Sequence, residues 1–262
     1  MSRGVLLFAF NNGKFDYYAM AVATAKRINH FLGLPVSVVT DLKSSPDGFD
    51  PIFDQAILSP ADTSNIRDYS VWINKGRYRA YALSPYDETI LLDTDYMVNS
   101  DALLKLFDLP TDFCCHNSTF WLMQPNIGEE NLGPHSLQTR WATVVMFKKT
   151  KRAEQIFQCM RMIQDNYDHY ANLHGFIPVV FRNDYALTLA LRIVNGHSAN
   201  PADTIPWNLV HAGKGVRVHR DDDTTYMMMH DNWQRGKIRK EYIMVSNTDF
   251  HMIDKQNFME IV

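Results

Sequence analysis

The sequence predicts a single α/β domain in which a mostly parallel central sheet is flanked by helices, with a small β element near its C-terminal end. The first observation is an apolar strand at 4–10, an amphipathic helix from Phe15 to Leu32 and a second strand at 36–39, which form a β-α-β unit. The second is a buried strand at 89–93 that closes on two carboxylates. Because a β-α-β crossover makes its strands parallel, their polar ends meet at one edge of the sheet.

The length and composition are those of one globular domain, predicted to span residues 1–262. Of 262 residues, 46% are hydrophobic and 21% are charged, and the net charge of −3 gives no overall attraction to nucleic acid or anionic membranes. The three cysteines have no C-x-x-C spacing, which excludes a disulfide framework and a zinc module and fits a reducing cytoplasm. No apolar stretch reaches the roughly 18 residues of a membrane span. We therefore predict a cytoplasmic protein without a membrane span.

The first two predicted strands both end in polar residues. Since open α/β sheets bind their ligands at the carboxyl edge, these ends are expected to contact substrate. Neither G-x-G-x-x-G nor G-x-x-x-x-G-K follows a strand, which removes the main support for a dinucleotide or P-loop site. The residues predicted here to bind substrate are Phe10, Asn11, Asn12 and Asp41.

The next segment is predicted to lead from the first β-α-β unit to the carboxylates. The first helix is expected to end at Gly33, and a short third strand is expected within 52–58. A helix is then predicted over 65–83, and it carries Lys75 and Arg77 immediately before the strand that ends at the carboxylates.

The two carboxylates are Asp93 and Asp95, separated by Thr94. In an extended segment side chains alternate, so both carboxylates are expected to point to one side and Thr94 to the other. Two like charges repel each other unless a cation lies beside them, and carboxylate oxygens suit Mg²⁺ or Mn²⁺ carrying a substrate phosphate. The alternative is a strand end that simply enters a polar turn.

The middle of the chain is predicted to contain a short helix, a long irregular segment, and then a further strand and helix. A short helix is expected within 100–110, followed by a long excursion across the active face over 114–139, in which three aromatic residues are given structural roles. A strand at 141–147 and a helix at 153–163 follow. The basic cluster at 148–152 is either a solvated corner or a contact for an anionic acceptor. The three aromatic residues are His116, Trp121 and His135.

The C-terminal third combines a helix with a hairpin-like β region. Asn183 or Asp184 is expected to cap a helix at 186–194. Alternating segments at 226–229 and 242–245 predict a hairpin, joined by a basic stretch at 235–240.

Several of these segments resemble the nucleotide-sugar half of glycosyltransferases of the GT-A fold, with the glycogenin-like and bacterial galactosyltransferase-like branch nearest. The resemblance rests on the run at 76–83, the Pro85-Tyr86 turn, the D-x-D at 93–95 and the sequel at 100–110. It implies a Rossmann-like domain with a nucleotide-sugar half at 1–110 and an acceptor half at 111–262.

The resemblance also implies roles for individual residues. The D-x-D would bind Mn²⁺ or Mg²⁺ and the donor diphosphate, which Arg77, with Lys75 near it, would help to neutralise; an arginine here is a departure if the family position is lysine. His251 would complete the metal coordination, with His230 as the competing residue. The remaining implied roles are donor contacts for Thr94, Thr143 and Asn183, general base catalysis for Asp184, and a diphosphate contact for Lys255.

We therefore predict a metal-dependent glycosyltransferase that moves a sugar from a nucleoside-diphosphate sugar, with UDP-sugar favoured, to a hydroxyl acceptor. The stretch at 72–89 looks like compact glycosyltransferases of tailed bacteriophages, which implies a hydroxymethylated base in duplex DNA as acceptor and the host cytoplasm as location. The basic clusters would then contact the DNA backbone. The alternatives are a glycan, lipid-linked sugar or protein acceptor, and a non-catalytic sugar- or DNA-binding module. A haloacid-dehalogenase-type phosphatase is disfavoured because the motif lies in a later strand.

Overall fold

The computed structural model describes residues 1–67, 69–123, 131–134, 137–178, 180–234 and 237–262; at 67, 233, 234 and 237 only the backbone is described. The predicted fold class is confirmed, because a mostly parallel central sheet lies between helices and a separate β region follows near the C-terminus. His135 and part of the basic stretch at 235–240 lie outside the described residues.

The strands and helices are numbered in chain order. The strands are β1 (Arg3–Phe8), β2 (Val36–Thr40), β3 (Gln55–Leu58), β4 (Ile66–Arg67), β5 (Ser70–Val71), β6 (Glu88–Leu92), β7 (Tyr96–Met97), β8 (Phe113–His116), β9 (Thr119–Leu122), β10 (Asn131–Leu132), β11 (Leu137–Gln138), β12 (Trp141–Lys148), β13 (Leu209–Ala212), β14 (Val216–Arg220), β15 (Thr225–Gln234), β16 (Lys237–Ser246) and β17 (Phe250–Met252). The helices are α1 (Tyr17–Leu32), α2 (Ala80–Leu83), α3 (Lys151–Asp165), α4 (Tyr167–His174), α5 (Asn183–Val194) and α6 (Lys255–Ile261). Short 3₁₀ helices cover Lys75–Arg79, Ala102–Asp108 and Pro201–Asp203.

The central sheet has the strand order β3-β2-β1-β6-β12-β8. The first four strands are parallel, and β12 runs antiparallel to both β6 and β8. Alternate residues of β1 enter two different cores: Val5 and Leu7 pack on the side of α1, and Leu6 packs on the side of α3 and α5. Both faces of the sheet are covered, which explains the continuous apolar runs in its strands.

Helix α1 ends where its sequence predicts and begins at Tyr17, two residues later than predicted. The Asp16 side chain accepts a hydrogen bond from the amide of Ala19, and the chain leaves the helix through Gly33 at a φ of 62°. The predicted β-α-β unit is confirmed, with β1 and β2 parallel.

Besides the central sheet and the two-stranded pairs β4–β5 and β10–β11, the described residues form two larger sheets. Strands β7, β17, β13 and β9 form one, and the hairpin of β15 and β16 with β14 forms the other. The predicted C-terminal hairpin is confirmed and is longer than its apolar segments alone indicated. Because β17 pairs with β7, the chain near residue 251 is brought back beside the turn that follows β6.

Three predictions of local structure are wrong. The segment 114–139 is not one long irregular excursion, because β8 is an edge strand of the central sheet and β9, β10 and β11 also lie within this segment. The segment 65–83 is not one helix but a β4–β5 pair, a 3₁₀ helix and the four-residue α2. Side-chain bonds from Asn65 to Asn74 and to the carbonyl of Phe181 organise this segment, and this tertiary context overrides helix propensity. Helix α5 has no side-chain cap, because Asp184 accepts from the amide of Ala142 on β12 instead.

A buried carboxyl at the start of β17 predicts a pH-dependent stability. Burial raises the pKa of Asp249 to about 6, although the amide of Asn99 and the hydroxyl of Ser100 donate to it and oppose that rise. With a folded pKa above the ordinary value, its contribution to stability is full below about pH 4 and is lost as the pH rises through about 6. We expect Asp249→Asn to remove this loss, making the variant more stable than wild type at pH 8 by about 2 kcal/mol. Urea unfolding from pH 4 to 8 measures this, and identical pH profiles of both proteins would contradict it.

Within the described part of the chain, no helix is long and apolar enough to cross a membrane.

Candidate metal centre

The two carboxylates lie in the turn that connects β6 to β7. Strand β6 ends at Leu92, and the amide of Tyr96 donates to the carbonyl of Asp93 at 3.2 Å, so the segment is a turn and not an extended strand. The expected alternation of Asp93, Thr94 and Asp95 is therefore not what brings the carboxylates together. The turn itself places both at the carboxyl edge of the sheet.

Asp93, Asp95 and His251 bring their ligand atoms to within 4.8 Å of one another. Nε2 of His251 lies 3.3 Å from Oδ1 of Asp95, and both side chains are almost fully buried. Two carboxylates and an imidazole are a donor set that Mn²⁺ accepts, whereas Mg²⁺ prefers oxygen ligands throughout. These three residues therefore fit a divalent cation.

Two cations from distant parts of the chain neutralise the carboxylates. Nζ of Lys255, in the first turn of α6, lies 2.6 Å from Oδ2 of Asp95, and Nη1 of Arg77 contacts Oδ1 of Asp93. Nη2 of Arg77 also donates to the carbonyl of Ala142 at 2.6 Å, which fixes the guanidinium between β6 and β12. Charge repulsion between the carboxylates is thus already offset by the protein's own cations.

The electrostatics of Asp95 follow from these contacts. Burial alone would raise its pKa, but Lys255 and His251 hold the pKa of Asp95 well below its usual range. Burial would likewise lower the pKa of Lys255, and the Asp95 carboxylate overcomes this and raises the pKa above its ordinary value. Asp95 and Lys255 are therefore a charged, buried pair.

A cleft of about 770 Å³ opens at the same edge of the sheet. It is lined by the segments that follow β1, β2 and β3, including Asn11, Asn12 and Asp41, together with apolar residues such as Leu58 and Val71. Because β1 is the neighbour of β6, the cleft and the carboxylates share the carboxyl edge of adjacent parallel strands.

The polar side chains that line the cleft mostly form hydrogen bonds to other residues of the same cleft or next to it. The Asn11 side chain accepts from the amide of Tyr18 and donates to the Ser44 carbonyl, and the Asn12 side chain donates to the carbonyl of Val71. Oδ1 of Asp41 accepts from Ser44. Phe10, also predicted to bind substrate, is buried in the core beneath α3 and α5.

Other predicted site residues are more dispersed. Nζ of Lys75 donates to the hydroxyl of Ser64 at 2.7 Å. Thr143 is buried beside the turn that connects β6 to β7, and its carbonyl accepts from the amide of Asp93. Thr94 is buried, and its carbonyl accepts from the hydroxyl of Thr24. His230 lies on β15, where Nδ1 is 3.3 Å from the carbonyl of Gly215, and it does not belong to the metal-ligand group.

Asp184 is connected to Arg77 by hydrogen bonds to one residue of β12, Ala142. Its Oδ1 accepts from the amide of Ala142, the same residue whose carbonyl accepts from Arg77, and its Oδ2 lies 3.1 Å from Nη2 of Arg182. Asn183 donates to the carbonyl of Asn74, while its own Oδ1 is buried without a partner among the described residues. Both residues therefore lie in the wall between β12 and the segment that carries Arg77.

The basic cluster at 148–152 is largely occupied within the fold. Lys148 pairs with Glu88, Lys149 donates to the Tyr81 carbonyl, and Arg152 pairs with Asp112 and Asp203. The sequence left two alternatives for this cluster, a solvated corner or a contact for an anionic acceptor. Because these three cations have partners within the fold, the structure does not favour the acceptor contact. In the second basic stretch, Arg239 and Lys240 are exposed.

Two residues near the candidate metal centre are not among those predicted from the sequence. Tyr17 begins α1, where burial raises its pKa to about 12 and the charges of Lys255, Asp95 and Asp93 act on it. His211 on β13 has Nδ1 3.0 Å from Nδ1 of His251. Tyr17 is adjacent to the polar end of β1 and could have been included on that ground, whereas no sequence pattern links residues 211 and 251.

No protein-family model and no curated protein sequence match this chain. Among solved structures it is similar to the galactosyltransferase LgtC in complex with donor and acceptor sugar analogues, at 12% identity and a TM-score of 0.49 over 83% of this chain and 90% of that one. It is also similar to the glycosyltransferase GlyE of Streptococcus pneumoniae TIGR4 (14%, TM-score 0.45, 72% of this chain) and to mouse xyloside xylosyltransferase 1 (10%, TM-score 0.44, 75% and 83%). The chain spans 43% of the length of GlyE. Similarity at this level concerns the fold, and the chemistry of this chain is set by its own side chains.

Proposed function

We propose that the protein is a metal-dependent glycosyltransferase that uses a nucleoside-diphosphate sugar as donor and a hydroxyl group as acceptor. The observation that carries the proposal is the convergence of Asp93, Asp95 and His251 with two buried cations, Arg77 and Lys255, beside a cleft at the same sheet edge. Acidic ligands and cations together suit a metal–diphosphate complex, which carries both signs of charge.

The charges of the centre favour such a complex. With His251 neutral, the two carboxylates and the two cations sum to zero. A bound dication and the two negative charges of a sugar diphosphate together add no net charge. The dication alone or the diphosphate alone would leave a net charge of two units in a buried place. We therefore assign metal binding to Asp93, Asp95 and His251 and the donor diphosphate to Arg77 and Lys255.

The metal, when bound, supplies positive charge that stabilises the leaving diphosphate as the glycosidic bond breaks. Lys255 and Arg77 supply fixed positive charge on the protein side, which stabilises the same leaving group. Burial of Lys255 and the two anchors of Arg77 reduce the reorganisation needed in the reaction. The cleft lined by Leu58 and Val71 is assigned to the nucleoside.

Thr143, Asn183 and Asp184 are assigned to the donor sugar, with Asp184 on the side of that sugar that faces the acceptor. Because both oxygens of Asp184 are already hydrogen-bonded, general base catalysis there requires its pair with Arg182 to open. A hydroxymethylated base in duplex DNA stays the acceptor that the phage resemblance suggests, and the exposed Arg239 and Lys240 are the described cations that support it.

Donor hydrolysis and thermal unfolding test the proposal together. We expect Mn²⁺ plus UDP to raise the melting temperature by more than the sum of their separate effects, and EDTA to abolish hydrolysis of UDP-sugar. GDP, CMP and TDP are compared in the same assay to identify the nucleoside. Full activity in EDTA would reject the metal, and a binding response without any hydrolysis or transfer would favour a non-catalytic sugar-binding module.

The acceptor is tested separately, with the donor identified first. Hydroxymethylated duplex DNA, oligosaccharides and a lipid-linked sugar are offered in turn. Transfer to DNA that falls steeply as salt rises would support the DNA acceptor. Transfer to a glycan or lipid at undiminished rate in salt would exclude it.

A further inference from the structure

His211 is a fully buried histidine whose position is determined by its contact with the candidate metal ligand His251. Strands β13 and β17 are parallel, and residues 211 and 251 are partners in their register. Nδ1 of one ring lies 3.0 Å from Nδ1 of the other. In the described part of the chain, Nε2 of His211 has no partner, so the bond to His251 is its one hydrogen bond.

Aromatic residues hold the His211 ring in place. It stacks on Trp121 of β9 with ring centroids 4.5 Å apart and an interplanar angle of 30°, and Trp141 of β12 lies against it at 5.0 Å. A neutral imidazole has one N–H and one lone pair, and can accept a hydrogen bond.

The hydrogen bond constrains the tautomer of His251. Its Nε2 is the nitrogen that faces Asp95, at 3.3 Å, and a nitrogen that binds a metal must offer its lone pair. The proton of neutral His251 then lies on Nδ1, from which it can be donated to Nδ1 of His211. A buried Nε2 without a partner makes His211 costly for stability. The hydrogen bond from Nδ1 to His251 is therefore the reason we give for a histidine at this position.

We propose that His211 is a positioning residue that orients His251 and holds its proton on Nδ1, so that Nε2 is presented to the metal. The inference rests on the proposed metal site and adds to it a residue that touches neither metal nor donor. Metal ligands in proteins commonly depend on such partners, whose loss lowers metal affinity by about 10- to 100-fold.

Two substitutions separate hydrogen bonding from packing. His211→Phe keeps an aromatic ring against Trp121 but cannot accept from His251, and His211→Gln gives up the ring but retains an acceptor oxygen. His116→Phe is the matched control, because His116 is also fully buried and stacks edge-on with Trp207, and its ring nitrogens have no partner among the described residues. If His211→Phe does not fold, His211→Leu replaces it.

The measurement is Mn²⁺ affinity, from the electron paramagnetic resonance signal of free Mn²⁺ with UDP present, together with the visible spectrum of bound Co²⁺. We expect His211→Phe to weaken Mn²⁺ binding by about 10- to 100-fold and to alter the Co²⁺ spectrum, with His211→Gln and His116→Phe close to wild type. Equal affinity of His211→Phe and wild type overturns the inference, as does equal weakening in all variants, which would mean a packing role. Absence of Mn²⁺ binding by wild type overturns the metal site itself, and with it the role of His211.

Discussion

Replacement of Asp95 by asparagine is expected to abolish sugar transfer and to destabilise the protein. Asp95 is buried between Nζ of Lys255, at 2.6 Å, and Nε2 of His251, at 3.3 Å. The amide supplies no negative charge to balance a bound dication, and it leaves Lys255 buried without its counter-charge. Breaking a buried pair in this way costs about 3–5 kcal/mol of the free energy of unfolding. Urea unfolding and a donor-hydrolysis assay measure the two effects.

A double variant separates the two effects of Asp95. Asp95→Asn combined with Lys255→Met removes both charges, so stability is expected to return toward wild type while transfer stays absent. Asp165→Asn serves as a control, because Asp165 is exposed and pairs at 3.6 Å with Arg161 on the surface of α3. Transfer that persists in Asp95→Asn, with stability unchanged, would show that the carboxylate has neither role.

Sequence patterns were sufficient for the parts of the fold that depend on local periodicity. The β-α-β unit, the end of α1 at Gly33 and the strand before Asp93 all follow from apolar spacing and turn residues. The segment 65–83 could not be predicted in this way, because long-range bonds of Asn65 organise it. Propensity carries no information about a partner that lies more than a hundred residues away along the chain.

The candidate site was predictable in its residues but not in its charge balance. Asp93, Asp95, His251, Arg77 and Lys255 were all selected from the sequence, and the structure brings them together. The sequence alone predicts a cation beside the two carboxylates, with Mg²⁺ or Mn²⁺ as the expected one. In the fold each carboxylate has its own cation. Under the proposed function, a metal is therefore expected because a dication balances the charge of the donor diphosphate.

The basic cluster at 148–152 shows the opposite case, in which a conspicuous sequence feature has a different role in the structure. The cations at 148–152 form an obvious basic cluster in the sequence, yet Lys148, Lys149 and Arg152 have partners in the fold. A run of like charges along the chain does not indicate a charged surface when its members contact acids from other elements.

The guanidinium of Arg77 is expected to have the second largest effect on transfer. It contacts Asp93 with one terminal nitrogen and the Ala142 carbonyl with the other, a two-point contact that a lysine cannot reproduce. We expect Arg77→Met to lower the rate of transfer by about 10²- to 10³-fold, as removal of one preorganised charge or donor at a leaving group typically does. Arg77→Lys should retain the charge and lose the geometry, giving an intermediate rate.

Steady-state kinetics with saturating Mn²⁺ measure these rates, and Arg161→Met is the control because Arg161 is exposed and lies outside the metal-ligand group. A loss confined to KM for the donor would mean that Arg77 binds the diphosphate equally in the ground and transition states. A loss in kcat would place its effect on the departing diphosphate, where negative charge develops. If Arg77→Met matches Arg161→Met in both constants, Arg77 only holds Asp93 in the fold, and Lys255 is the remaining cation for the leaving group.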